Sequence, residues 1–154
     1  MQLKSEKGQD IVEFAFILPF FLLLFMGIVY VGFLFTDYLS LSNLARSSAR
    51  EASIQATGQY DNGVDAIQAK YNEVQDKYAE RVNEVQHMYV VNSSGFRITP
   101  EYNGGKVEDV YVEIQAQLDT SDGLSKVIGN FIPDQVKNFT IEYRMYQDRM
   151  SHDD

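Results

Sequence analysis

Side chains able to act as metal ligands, nucleophiles or acid–base groups are few in this chain, and their spacing suits none of those tasks. The imidazoles are His87 and His152, and there is no cysteine. A zinc site draws three or four nitrogen, sulfur or oxygen ligands at short, regular spacings; neither histidine has such a neighbour. There is no G-x-S-x-G nucleophile elbow, no P-loop and no G-x-G-x-x-G. The stretch DTSDG, 119–123, has the composition of a calcium loop. It lacks the alternating acids and the later glutamate that such a loop needs, and reads instead as a capped turn. Asn92-Ser93-Ser94 and Asn138-Phe139-Thr140 match the glycosylation sequon, a pattern frequent by chance. This inventory predicts a protein that is not an enzyme, with no cofactor and no small-molecule substrate.

One carboxylate does stand out. Glu13 opens an apolar run, FAFILPFFLLLFMGIVYVGFLFT, in which no residue from Phe14 to Thr36 is charged. A glutamate in the first turn of a helix is favoured by the partial positive charge there, by about 0.3–1 kcal/mol when exposed. Carried towards the bilayer centre it costs about 2.5–3.5 kcal/mol, less near the edge. If the helix leaves the membrane in part, Glu13 needs a cation. A new α-amino group, made by cutting after Gly8 on a neighbouring copy, would supply one. Such pairing would also set the axial register of stacked copies, because an unpaired buried charge is penalised.

The element that positions Glu13 is a long helix. Residues 14–36 would span about 35 Å as a helix, against about 30 Å of hydrocarbon. The run is too long for a removable secretory signal, and no A-x-A site occurs in the chain. Pro19 lacks an N–H and leaves the Ala15 carbonyl without its usual partner, which predicts a kink rather than a stop. The helical pattern extends from Gln9 to about Thr57, with Leu41, Ala45, Ala49, Ala52 and Ala56 on one face. The small side chains of Ala45, Ala49 and Ala52 let another backbone approach closely, either in a second copy or in the rest of this chain. Gly58 is the expected stop.

A second helix is expected over about 63–86, with Asp61 or Asn62 near its N-cap. Val64, Ile67, Tyr71, Val74, Tyr78, Val82 and Val85 form its apolar stripe, which should pack on a sheet. The period then changes to two. HMYVV and FRIT flank NSSG and read as a hairpin, and EYNGG makes the next turn. Residues 110–118 alternate as a half-buried strand, SDGLSKVIGNFIPDQ interrupts, and Phe139, Ile141, Tyr143 and Met145 mark a last strand. The fold expected is α+β: a long transmembrane helix kinked at Pro19, an amphipathic helix and an antiparallel sheet of about four strands. The tail DRMSHDD is expected to fray.

Charge narrows the partners. A net charge of −9 argues against nucleic acid, whose phosphates reward a basic surface, and against attraction to an anionic lipid surface. Lys4 and Lys7 before the run nearly balance Arg46 and Arg50 after it, and the nearer Lys7 and α-amino group favour a cytoplasmic N-terminus with an external C-terminal part.

The string Gly8-Gln9-Asp10-Ile11-Val12-Glu13-Phe14 resembles a type IV prepilin processing site, a glycine with glutamate at the fifth position beyond it. Glu13-Phe14 is the form of the tight-adherence (Tad/Flp) branch. Over 8–53 the chain resembles TadE-like proteins more closely. Val12, Glu13, Phe14, Ala15, Leu18, Pro19 and Gly32 fit that pattern, as do Ala45, Arg46, Ala49, Arg50, Glu51 and Ala52 in the AR..AREA stretch. The resemblance implies a minor pilin or pseudopilin of a Tad-type IV pilus. A prepilin peptidase would cut between Gly8 and Gln9 and recognise Glu13 and Phe14. Gln9 departs from the phenylalanine of better-known type IV pilins, and TadF-like proteins share the N-terminal layout. The organisation implied is a leader over 1–8, a transmembrane and continuing helix over 9–57, and an extracytoplasmic α+β head over 58–154. The head makes an initiating or tip subunit more natural than the major pilin. Partners would be the membrane, the peptidase and other pilins of the system. The alternative is an uncleaved single-pass protein whose external domain binds another envelope component.

Overall fold

The computed structural model describes residues 3–57, 64–103, 106–121 and 123–146. The stop at Gly58, the N-cap at Asp61 or Asn62, the two glycines of EYNGG and the tail from Gln147 lie outside them. The elements in order are α1 (Leu3–Ala56), α2 (Val64–Glu84), β1 (Tyr89–Asn103), β2 (Lys106–Leu118), α3 (Gly123–Gly129), α4 (Asp134–Lys137) and β3 (Asn138–Tyr146). They form two compact units, Met1–Thr36 and Asp37–Asp154.

The described residues of the first unit are all helix. From Phe14 to Thr36 it is apolar on all sides, and the described residues cover little of it: in the most hydrophobic window of α1, 6% of residues are buried. A helix apolar all round is stable where the surroundings are apolar, because its backbone groups are satisfied within the segment. Among the described residues this is one helix long and apolar enough to cross a membrane. Pro19 lies inside it, with helix on both sides.

In the second unit the remainder of α1 turns Leu41, Ala45, Ala49, Ala52 and Ala56 inward, all completely buried. The α2 stripe does the same with Ile67, Tyr71, Val74, Tyr78 and Val82. Its spacing of three and four keeps these side chains on one face. The sheet order is β1-β2-β3, antiparallel throughout. Central β2 directs Val110, Val112, Ile114 and Ala116 to the core, and leaves Gln115 and Gln117 exposed on the other face. Ile141 of β3 and Tyr89, Val91, Phe96 and Ile98 of β1 complete the buried side. Both helices reach this side. Tyr38 meets Phe139 edge-on at 5.4 Å, Arg46 lies over the Tyr143 ring, and Gln75 Oε1 accepts the edge amide of Ile98 at 3.0 Å. The fold is thus two helices against one face of an antiparallel sheet, an α+β arrangement.

The sheet has three strands where about four were expected. The two runs around NSSG do not pair with each other. Val91 pairs with Ala116 and Phe96 with Ile114, so β1 advances five residues while β2 advances two. The surplus residues form a bulge within one strand. Gly95 makes it possible: a Cβ there would stand 2.8 Å from the Gln115 carbonyl oxygen and 3.1 Å from that of Asn92. The stretch 121–135, expected to interrupt the strands, includes the short helix α3 and the start of α4.

Candidate functional site

The residues singled out in the sequence fall into two groups, one in each unit. Gly8, Gln9, Glu13, Phe14 and Pro19 all lie on α1 in the first unit. The side chains of Gln9, Glu13 and Phe14 are exposed. Among the described residues none forms an ion pair with Glu13. A carboxylate on an open helix surface, one residue before an apolar run, is accessible to an external partner. Thr36, at the far end of the run, donates its hydroxyl to the Gly32 carbonyl at 2.9 Å.

Ala45, Ala49 and Ala52 belong to the second unit, and no part of them is exposed. Their small size is used within the chain, where the buried α1 face joins the core. Neighbouring polar residues on α1 bind the same layer from its margin. Glu51 accepts from Lys77 Nζ of α2 and from the Tyr78 phenol, whose pKa is raised by burial first and by that hydrogen bond second. Ser48, also buried, donates to the Ala45 carbonyl at 3.0 Å.

Among the described residues of this unit, Asp37 gathers several hydrogen bonds, although the sequence analysis did not single it out. It is completely buried. Its Oδ2 accepts three successive amides, from His87 at 3.0 Å, Met88 at 2.6 Å and Tyr89 at 3.1 Å. Its Oδ1 lies 3.0 Å from His87 Nδ1, which also lies 3.1 Å from the Val85 carbonyl. Both neighbours of that nitrogen are acceptors, so Nδ1 carries the proton. Carboxylates accepting several N–H groups make strong, charge-assisted bonds. Asp37 therefore ties the bend before β1, and the first residue of that strand, to α1, a positioning role. A signal for it existed: Asp37, Leu41, Ala45 and Ala49 recur every four residues, so the acid sits in register with the buried face.

The expected turn at DTSDG is supported by Asp119, whose carboxylate accepts the Ser121 amide at 2.8 Å. That bond holds its pKa below the ordinary aspartate value. Among the described residues no three His, Asp or Glu side chains converge as metal ligands would. A shallow hollow of about 170 Å³ lies between α2 and the β1 bulge, lined in part by Gln75, Asp76, Asn83 and Asn92.

Comparison with curated proteins and with solved structures gives no match. Residues 8–50 match a protein family described as TadE-like protein. That stretch runs from Gly8 through Glu13 and the apolar run to Arg50, and over it, somewhat more than a quarter of the chain, the sequence is similar to TadE-like proteins.

Proposed function

We propose that this protein is a pilin-like, non-enzymatic subunit of a Tad-type IV pilus, cut after Gly8 by a prepilin peptidase. The second unit would stand outside the cytoplasmic membrane, and the subunit would initiate or cap the filament. The observation that carries this reading is the exposed carboxylate of Glu13, five residues beyond Gly8 on a helix with uncovered apolar sides, within the TadE-like segment. In a pilin-type mechanism the peptidase meets Gly8 and Gln9 at the membrane surface, with Glu13 and Phe14 as recognition groups. After the cut, the α-amino group of one copy can pair with Glu13 of the next, which removes the penalty of carrying a bare carboxylate into a helix bundle.

The burial of Ala45, Ala49 and Ala52 within the chain favours intersubunit packing through the first unit instead, where residues 9–29 are exposed. Pro19 would let that segment bend during packing. The test is Glu13→Ala in the native host. Membrane insertion should be unchanged, because removing a charge eases it, while pilus assembly falls by roughly tenfold or more, as loss of about 1.4 kcal/mol or more at each contact implies. Normal piliation by this variant would remove Glu13 from the mechanism. It would then favour an uncleaved anchor for an external binding domain.

A further inference from the structure

The part of α1 that belongs to the second unit has two faces. Leu41, Ala45, Ala49 and Ala52 are buried, while Arg46 and Arg50 are exposed. The Arg46 guanidinium lies over the Tyr143 ring of edge strand β3 at 5.8 Å. Among the described residues no carboxylate pairs with either arginine. Residues four apart are separated by about 6 Å along a helix, and like charges at that spacing repel.

Helix α2 carries the opposite sign at the same pitch. Asp76, Glu80 and Glu84 recur every four residues, and all three are exposed. The cations of α2 are engaged elsewhere. Lys70 pairs with Glu73 and Lys77 with Glu51, and Arg81 lies over the Tyr78 ring at 5.1 Å. Among the described residues none of the three carboxylates forms an ion pair. Within one copy the two stripes do not meet. Helix α1 lies over β3 and α2 beside β1, at opposite edges of the sheet.

We propose that Arg46 and Arg50 of one copy bind the Asp76–Glu80–Glu84 stripe of a second copy and set the second units side by side. The chain itself supplies both halves of the match, equal in spacing and opposite in charge, and guanidinium–carboxylate pairs form charge-assisted hydrogen bonds. The contact is heterologous, α1 against α2, so a copy can engage one neighbour at each flank. It goes beyond the proposed pilin role and does not depend on the cut after Gly8. Sedimentation equilibrium of the full-length chain in density-matched detergent micelles tests it. The parent should associate at low salt, and less in about 0.5 M NaCl, where screening is strong. Arg50→Glu and Glu80→Lys should each weaken association by about tenfold or more. E80K also relieves the like-charge series within α2, so its loss of association is not loss of fold. An equimolar mixture of R50E and E80K should restore association to within about threefold, because the intact arginine pair of one variant meets the intact acidic stripe of the other. A parent monomeric at about 0.1 mM would overturn the proposal. So would variants that associate as the parent does, the pattern of packing through another surface, or a mixture no tighter than its components. Association that requires added calcium would assign the acidic stripe to a cation instead, and overturn it too.

Discussion

At the scale of single residues, Asp37 carries the heaviest structural duty. Three successive amides, those of His87 and Met88 just before β1 and of Tyr89 at its start, donate to one carboxylate oxygen. Asp37→Ala would leave these donors without that acceptor, at about 1–3 kcal/mol for each buried donor left unsatisfied. A loss of about 3 kcal/mol or more is a large share of the 5–15 kcal/mol typical of a domain. Asp37→Asn keeps the size and one acceptor oxygen, and should recover about half of the loss. Thermal unfolding of the full-length chain, followed by circular dichroism, checks both. An Asp37→Ala variant as stable as the parent would show that water replaces the carboxylate. The sequence places Asp37 in register with the buried face but does not reveal what it binds: the partners lie 50–52 residues away, and they are backbone amides, which have no side-chain signature.

At the scale of elements, patterns that depend on one repeating face were legible and a local irregularity was not. The stripe of α2 appears in the structure with Ile67, Tyr71, Val74, Tyr78 and Val82 buried, because tertiary packing selects the face that the spacing already defines. The alternation of β2 and β3 was legible for the same reason. The segment Asn92–Gly95 was misread as a hairpin because Asn, Ser and Gly suit turns and bulges alike. Pairing with β2, a long-range contact, decides between them. The alanines of α1 illustrate a different limit. Small residues at a spacing of four announce close packing without naming the partner, and here the described partner is the rest of the chain. Ala49→Leu should therefore destabilise the second unit by about 1–3 kcal/mol through overpacking. Ile54→Ala, exposed on the same helix, should change stability by less than about 0.5 kcal/mol. A stable Ala49→Leu protein that fails only in pilus assembly would instead place this face between copies.

At the scale of the whole molecule, the two units divide the proposed work. Residues before Asp37 offer the proposed processing site, a carboxylate and largely exposed apolar sides, all suited to a membrane and to neighbouring helices. Residues from Asp37 onward form a self-contained α+β core whose charged outer sheet face includes Arg144, 3.4 Å from Glu101 and over the Tyr111 ring. The TadE-like match ends at Arg50, so it accounts for the helix and leaves the sheet-bearing part to be understood from its own physics. The central claim is the cut after Gly8, which turns Glu13 from a tolerated helix-end carboxylate into a partner for a new α-amino group. Its most direct test is N-terminal peptide mapping, with intact mass, of the protein from its native membrane beside a strain lacking the prepilin peptidase. The account predicts a peptide beginning at Gln9 that disappears in the deletion strain. A chain retaining residues 1–8 in both strains would contradict it.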